Sequence, residues 1–503
     1  MTGERMTRKQ LLRRGFTTSC GAVCLAGVPV ILSSVESRSM LVLGAVVVSG
    51  LAGLALLFLA FGKETVWASL SAKSSQLLEP PAEKFESMRI GLVVISLGVA
   101  AFVAQIIVLF PQNNVFAGED EEAYLVTASK IVLSGGTVEF VKSLYSGEFS
   151  EANRHPLYLW LLSGSPQFGS GKFLSALLGL WTMGMVLGLC LQRQLGWLRA
   201  GIVCVLLGAN SAWGRFSVTV GCEVLMVGLV ACVWFQFFGE RFRGKSEPEE
   251  SESSTENETA SPMRDDLVTA WVASLFALIW LTKGTGLLLT VGFVAWLLLK
   301  ALHMVPSTPS GEGTQWNVAR QLAVFVAVWA AVASPLLVRN LVRYGSPFHN
   351  VNSWLLFVDE YSNPVALSKT QTIGEAAADY QKTHSLLDIV EREATGLFWE
   401  AFIIVRSLGP PPLDDARVIP GGVIALLAVL GWLVSKDPAK WLLLIWLGLC
   451  VPMFAWYVPV AAGERFALPL LVPILCFAAE GAIHVAGRIS EKRRQSSAAD
   501  NSA

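Results

Sequence analysis

Apolar residues run along the chain in stretches of about twenty, broken by short polar turns, and few charged positions interrupt a stretch. A helix needs ~20 mostly apolar residues to cross the hydrocarbon of a bilayer. The pattern therefore predicts spans near 17–34, 40–61, 89–110, 172–191, 197–213, 217–238, 267–282, 284–302, 318–338, 418–435, 439–459 and 466–487. This is an all-α polytopic membrane protein, a bundle of about 10–12 transmembrane helices. The first stretch follows Arg5, Arg8, Lys9, Arg13 and Arg14, and Arg13-Arg14-Gly15-Phe16 resembles a twin-arginine signal. No small-x-small cleavage site follows and the next span begins within six residues, so residues 1–61 are expected to be a retained membrane hairpin.

Composition agrees with the pattern. Of 503 residues 53% are hydrophobic and 15% charged, which excludes a single soluble domain. Net charge is −1, so no nucleic-acid partner is expected. The eight cysteines lie in or beside apolar stretches without metal-site spacing, and read as buried hydrophobes.

Lys and Arg resist translocation, so their placement in short loops sets orientation. Counting from an inside N-terminus, the inner segments carry Lys63, Lys73, Lys84 and Arg89, then Arg193 and Arg199, then Arg241, Arg243, Lys245 and Arg264, then Lys300, Arg320, Lys436, Lys440 and Arg488. The short outer turns carry one each, Arg38, Arg215, Lys283 and Arg465. Both termini are thus expected in the cytoplasm, with a cytoplasmic segment at 62–88, the membrane domain at 89–487 and a tail at 488–503. Two long external loops, 111–171 and 339–417, have room for short helices and for a site. The inner loop 243–266 contains the acidic, low-complexity run 246–260, which lacks the apolar residues to fold and is expected to be disordered.

Chemistry-bearing residues concentrate in the outer loops. The first opens with Gly118-Glu119-Asp120-Glu121-Glu122-Ala123-Tyr124, whose adjacent carboxylates repel and raise at least one proton affinity, as a base requires; equally, acids at a helix start meet the helix dipole favourably. Further on, Asn153-Arg154-His155-Pro156-Leu157-Tyr158 places Arg154, His155 and Tyr158 where they can orient a sugar or a phosphate, although aromatic residues also anchor chains at the interface.

These segments resemble the C-type (GT-C) integral-membrane glycosyltransferases, the group of the protein O-mannosyltransferases and the lipid A aminoarabinose transferases. Asp120-Glu121 ahead of Ala128, the Gly135-Gly136 stop and His155-Pro156-Leu157-Tyr158 are similar to the group's first external loop. Asn210 through Glu223 resembles its second external turn, which ends in a carboxylate. Leu281-Thr282-Lys283-Gly284-Thr285-Gly286, Pro335 through Asn340 with Gly345-Ser346-Pro347-Phe348, and Gly463-Glu464-Arg465-Phe466 with Leu468-Pro469 resemble later motifs, in the expected order over 89–487. The hairpin at 17–61 precedes what is usually the first span, and the extra Glu122 leaves the choice between Asp120 and Glu121 to their distance from Ala128.

The resemblance implies an enzyme of the bacterial cytoplasmic (inner) membrane that moves a sugar, with inversion, from a polyprenyl-phosphate donor to a cell-envelope acceptor on the periplasmic face. Such a transfer needs a carboxylate to take the acceptor proton, for which Asp120, Glu121 and Glu223 are the candidates, and cations for the leaving phosphate. Lys283, Arg339, Arg343 and Arg465 are the candidate cations, all on one membrane face. The oxygens of Asp120, Glu121 and Glu223 are also suited to Mg²⁺ or Mn²⁺. The alternative is a transporter or flippase for a lipid-linked or amphipathic substrate; such proteins show internal repeats and polar groups near the midplane, and neither is visible here.

Overall fold

In the computed structural model, the described residues are 88–239, 262–302, 304, 314–411 and 414–500, apart from 114, 116, 117 and 194. The expected hairpin at 1–61, the cytoplasmic segment through 87 and residues 240–261 lie outside these. Each of the ten spans expected within 89–487 forms a helix: α1 (Met88–Gln112), α5 (Phe168–Gln192), α6 (Trp197–Gly208), α8 (Glu223–Phe237), α9 (Pro262–Thr282), α10 (Gly286–Ala301), α11 (Thr314–Tyr344), α15 (Val418–Val434), α16 (Ala439–Tyr457) and α17 (Leu471–Asp500). Among the described residues, five helical stretches are long and apolar enough to cross a bilayer, Met88–Gln112, Phe168–Gln192, Val318–Tyr344, Ala439–Tyr457 and Leu468–Ser497; the other apolar helices there are shorter. There is no strand among the described residues.

The connections at the expected outer end hold short helices: α2 (Glu119–Leu133), α3 (Thr137–Ser146), α4 (Pro156–Leu162) and α7 (Ser211–Phe216), then α12 (Pro364–Thr370), α13 (Ile373–Thr383) and the amphipathic α14 (Leu386–Ser407). Pro156 starts α4 because its fixed φ suits the first helical position, and capping boxes at Thr372 and Ser385 start α13 and α14. Two boundaries differ from the sequence expectation. The acidic loop was expected to stay irregular to 266, yet α9 begins at Pro262, and the 488–503 tail continues α17 as far as Asp500.

Lipid offers no hydrophobic drive for one apolar helix to leave it for another, so close van der Waals contact has to hold the bundle. Glycine supplies that contact. A Cβ on Gly208 of α6 would lie 2.0 Å from the carbonyl oxygen of Gly98 in α1, and one on Gly481 of α17 would lie 2.0 Å from that of Leu427 in α15. Large rings fill the space the backbones leave: Trp213, Trp234, Trp446, Phe235, Phe276 and Phe477 are fully buried, and Trp446 donates its indole N–H to the carbonyl of Leu289. Leu92, Val93, Leu97, Ile107 and Val108 of α1 stay exposed, the surface a lipid-facing helix presents.

Polar contacts mark the two ends. At one end the Asp437 carboxylate accepts from the backbone N–H of Gly239 at 2.7 Å and Arg199 pairs with Glu480 at 3.4 Å. At the other end every connection named in the next section meets.

Candidate functional site

The site starts at the first turn of α2. Asp120 is the second residue of the helix that Gly118 precedes, and its carboxylate is held by two arginines from distant loops: Oδ1 accepts from Arg154 Nη2 at 3.0 Å and Oδ2 from Arg465 Nη1 at 2.9 Å. Its side chain is still 53% exposed, so a substrate can reach it. Burial pushes its proton affinity up, but Arg465 and Arg154 outweigh that and hold the carboxyl below the usual range. The repulsion expected within the acidic run is thus overridden at Asp120 by cations that the sequence alone could not place beside it.

A second pair stands next to the first. Glu223 opens α8, where the helix dipole favours an acid, and accepts from Lys283 Nζ at 2.9 Å across from the α9–α10 turn. Lys283 and Arg465 both lie over the ring of Phe466, at 5.7 and 5.2 Å from its centroid, so one aromatic ring serves the two cations. For Arg465, desolvation works against the charge, but Glu223 and Asp120 more than restore it. Asp120, Glu223, Lys283 and Arg465, from four separate segments, therefore form one cluster.

A third group was missed in the sequence. Glu464, beside Arg465, is buried and gathers Arg417 at 3.1 Å, Arg406 at 3.7 Å and Arg215, while Arg417 also donates to the Ser211 hydroxyl at 2.8 Å. Six cations thus surround four carboxylates in this region, Arg154, Arg215, Lys283, Arg406, Arg417 and Arg465 against Asp120, Glu151, Glu223 and Glu464, an excess that suits an anionic ligand. The available signal was the pairing of Glu464 with Arg465 in an outer turn; that Arg406 and Arg417 return to it depends on how α14 folds back.

The remaining candidates hold the scaffold. Glu121 points away from Asp120 into the protein and accepts the backbone N–H of Val220 at 2.8 Å, tying α2 to the turn before Glu223. Tyr158 is fully buried, its hydroxyl 3.3 Å from that of Ser175 and its ring edge-on to Tyr124, so it supports the floor of the site. His155 caps α4 and donates from Nδ1 to the carbonyl of Trp280, which leaves Nε2 as the unprotonated nitrogen beside the Lys283-Gly284 turn. Burial lowers its pKa to about 4, so it is neutral at physiological pH.

Arg339 and Arg343 do not join Lys283 and Arg465. Arg339 is buried in α11 and donates to the backbone carbonyl of Glu151; Arg343 donates to that of Gly147 at 3.2 Å, and the Tyr344 hydroxyl to that of Ser150 at 3.0 Å. One turn of helix thus clamps the main chain of 147–151, and in this structure Arg339 is engaged by that clamp. Asp120, Glu121 and Glu223 face three different partners, and among the described residues no group of three His, Cys, Asp or Glu side chains is arranged to hold a metal.

No protein-family model and no curated protein matches the sequence. Among solved structures, the chain is similar to ArnT from Cupriavidus metallidurans in the apo state, with 15% identity and a TM-score of 0.45 over 79% of this chain and 60% of that one. It is also similar to the Archaeoglobus fulgidus oligosaccharyltransferase AglB in complex with an inhibitory peptide and a dolichol-phosphate, at 15% identity, TM-score 0.43, and 80% of this chain and 52% of that one. The apo form of an Archaeoglobus fulgidus oligosaccharyltransferase gives 15% identity, TM-score 0.44, and 83% and 52% coverage. The chain thus spans between about half and three fifths of the length of these proteins.

Proposed function

We propose that the protein is a membrane glycosyltransferase of the C type that moves a sugar from a polyprenyl-phosphate donor to a cell-envelope acceptor at the outer face of the cytoplasmic membrane, inverting the anomeric carbon. One observation carries this reading. Motifs separated by up to 345 residues, chosen for their resemblance to that group, bring Asp120, Glu223, Lys283 and Arg465 into one cluster at one end of a membrane bundle. A lipid-linked donor presents its phosphate at that depth while its tail stays in the bilayer.

The chemistry follows from the cluster. The acceptor hydroxyl gives its proton to the Asp120 carboxylate as its oxygen bonds to the anomeric carbon, and the bond from that carbon to the phosphate oxygen breaks on the opposite face. Polyprenyl phosphate leaves carrying the electron pair, and Arg465 and Lys283 stabilise its developing charge. Arg465 has a second task. In the resting protein it neutralises Asp120; a donor phosphate competes for the same guanidinium, and Asp120 gains basicity when it loses that partner. Donor binding thereby prepares the base.

The test is transfer by the purified protein in lipid nanodiscs, supplied with radiolabelled polyprenyl-phosphate sugars and cell-envelope lipids or glycans. Labelled product with inverted configuration is expected. Flipping of a lipid-linked sugar without any transfer would overturn the enzyme reading in favour of transport.

A further inference from the structure

Beside the cluster lies an open-sided cavity of about 1260 Å³, bounded by α2, α3, the 147–152 segment and the stretch from Arg343 to Glu375. It is larger than the ~300–1,000 Å³ that holds a drug-sized ligand, so one sugar would leave most of it empty. The wall it shares with the cluster is short and polar. Glu151 lines the cavity, stands 3.3 Å from the Thr127 hydroxyl and 3.8 Å from Arg154, and Arg154 in turn holds Asp120.

The lining identifies a ligand class. Nine side chains are serine or threonine and four are aliphatic, Ile131, Ala152, Val365 and Ile373, which disfavours a lipid tail. Several of these hydroxyls spend their proton on nearby carbonyls, as Ser143 does on Phe140 and Ser368 on Val365, and so keep lone pairs to accept from a ligand rich in hydroxyl groups. Aromatic faces stand among them: Tyr344 stacks on His349 with centroids 4.0 Å apart, and Phe348 is 53% exposed. Rings of this kind suit the apolar C–H faces of sugars, as hydroxyl groups suit their edges.

Formal charge is balanced, Lys130, Arg343 and Lys369 against Glu148, Glu151 and Glu375, so the lining selects for hydroxyl groups and not for net charge. Of the lining acids, Glu375 is spent in the capping box of α13, and Glu151 accepts the backbone N–H groups of Asn153 and Arg154. Lys130 and Lys369 are exposed and pair with no carboxylate among the described residues, and Arg343 donates only to a backbone carbonyl.

We infer that this cavity binds an oligosaccharide several sugars long, the non-reacting part of the acceptor, whose terminal hydroxyl reaches Asp120 past Glu151 and Arg154. Its acceptor role rests on the transferase reading; its ligand class does not.

Binding is therefore measured apart from turnover, by quenching of tryptophan fluorescence in the full chain in nanodiscs, since Trp354 lines the cavity. The probes are uronate-containing tetrasaccharides, neutral tetrasaccharides of the same length, single sugars and an acidic peptide. Saturable binding of tetrasaccharides, at least tenfold tighter than of single sugars and with acidic and neutral chains within threefold of each other, is expected. Phe348→Ala should weaken both tetrasaccharides, and Lys382→Ala, away from the cavity, should change neither. Equal affinity for single sugars and tetrasaccharides, tighter binding of the peptide, or insensitivity to Phe348→Ala would overturn the inference. Tetrasaccharide binding without any transfer would leave the cavity assignment standing and remove the transferase reading. Transfer to short and long acceptors alike, without tetrasaccharide binding, would do the reverse.

Discussion

Asp120 and Arg465 are 345 residues apart in sequence and 2.9 Å apart in the fold, and Arg154 closes the other side of the same carboxylate. The acid that faces these two cations is thus also the one placed by its distance from Ala128.

That bridge makes Arg465→Lys informative. A guanidinium fork can touch Asp120 and a phosphate at once, whereas an ammonium is a single point charge. The variant should raise the KM for the polyprenyl donor roughly tenfold, the order of one charge-assisted hydrogen bond, with smaller change in acceptor KM. Steady-state kinetics with donor and acceptor varied separately decide it; an unchanged donor KM would move the phosphate to Lys283 alone.

How much of this was legible differs by element. The ten helices within 89–487 could be read because about twenty apolar residues in a row have one stable answer in lipid, and most observed ends lie within a few residues of the expected ones; α6 ends at Gly208 and α8 begins only at Glu223, where α7 interrupts the apolar run, while α11 and α17 extend beyond their expected spans. Asp120, Glu223, Lys283 and Arg465 were legible through motif resemblance. Partner choice was not. Glu121 and Asp120 are adjacent and chemically alike, yet a helix turns successive side chains about 100° apart, so one meets Val220 and the other two arginines. Arg339 and Arg465 look equally out of place beside apolar runs; only tertiary structure shows that one is spent on a loop carbonyl and the other faces the site.

The pH profile should lack a histidine. Asp120 sits below its unfolded value of about 3.9 and His155 at about 4 instead of about 6.5, so at pH 5 the first is ionised and the second neutral. Both folded values are depressed. The stability each contributes is therefore complete above its unfolded value and lost as pH falls towards its folded one, giving gradual acid weakening from about pH 6.5 downward through His155. For turnover, kcat/KM should stay flat from pH 8 to 5, while the acid limb of kcat lies higher than that of kcat/KM, because bound phosphate removes Arg465 from Asp120. An inflection near 6.5 that vanishes in His155→Asn would contradict this assignment.

Packing makes its own prediction at Gly481. An added Cβ would sit 2.0 Å from the Leu427 carbonyl oxygen and 3.0 Å from the backbone nitrogen of Gly431, so α15 and α17 must separate. Overpacking of this kind costs ~1–3 kcal/mol. Gly481→Ala should lower the thermal midpoint in detergent by several degrees, whereas Gly448→Ala, with nothing near its Cβ, should not. Equal midpoints would show that the two helices can part at little cost.

General-base catalysis predicts the size of the loss at Asp120. Asp120→Asn keeps the shape and one acceptor oxygen but cannot take a proton, so kcat should fall by ~10²- to 10⁴-fold with donor binding retained. Because the side chain is half exposed, the fold should survive. Wild-type turnover in this variant would transfer the role of base to Glu223.

Arg339 separates a clamp from a phosphate ligand. Its side chain is buried, its Nη1 donates to the Glu151 carbonyl, and its guanidinium lies 5.5 Å from the Tyr344 ring centroid and 6.0 Å from that of Phe149. Loss of that donor leaves a loop carbonyl without its partner and frees the 147–151 segment, which carries Glu151 and leads to Arg154. Arg339→Gln keeps an amide N–H₂ donor but is shorter and carries no charge. The expected outcome is faster proteolysis within 147–155 and a raised acceptor KM, with the donor KM within twofold of wild type. Limited proteolysis followed by mass spectrometry reads the first, and separate donor and acceptor titrations read the second. A donor KM raised tenfold with unchanged proteolysis would return Arg339 to the phosphate and contradict the clamp.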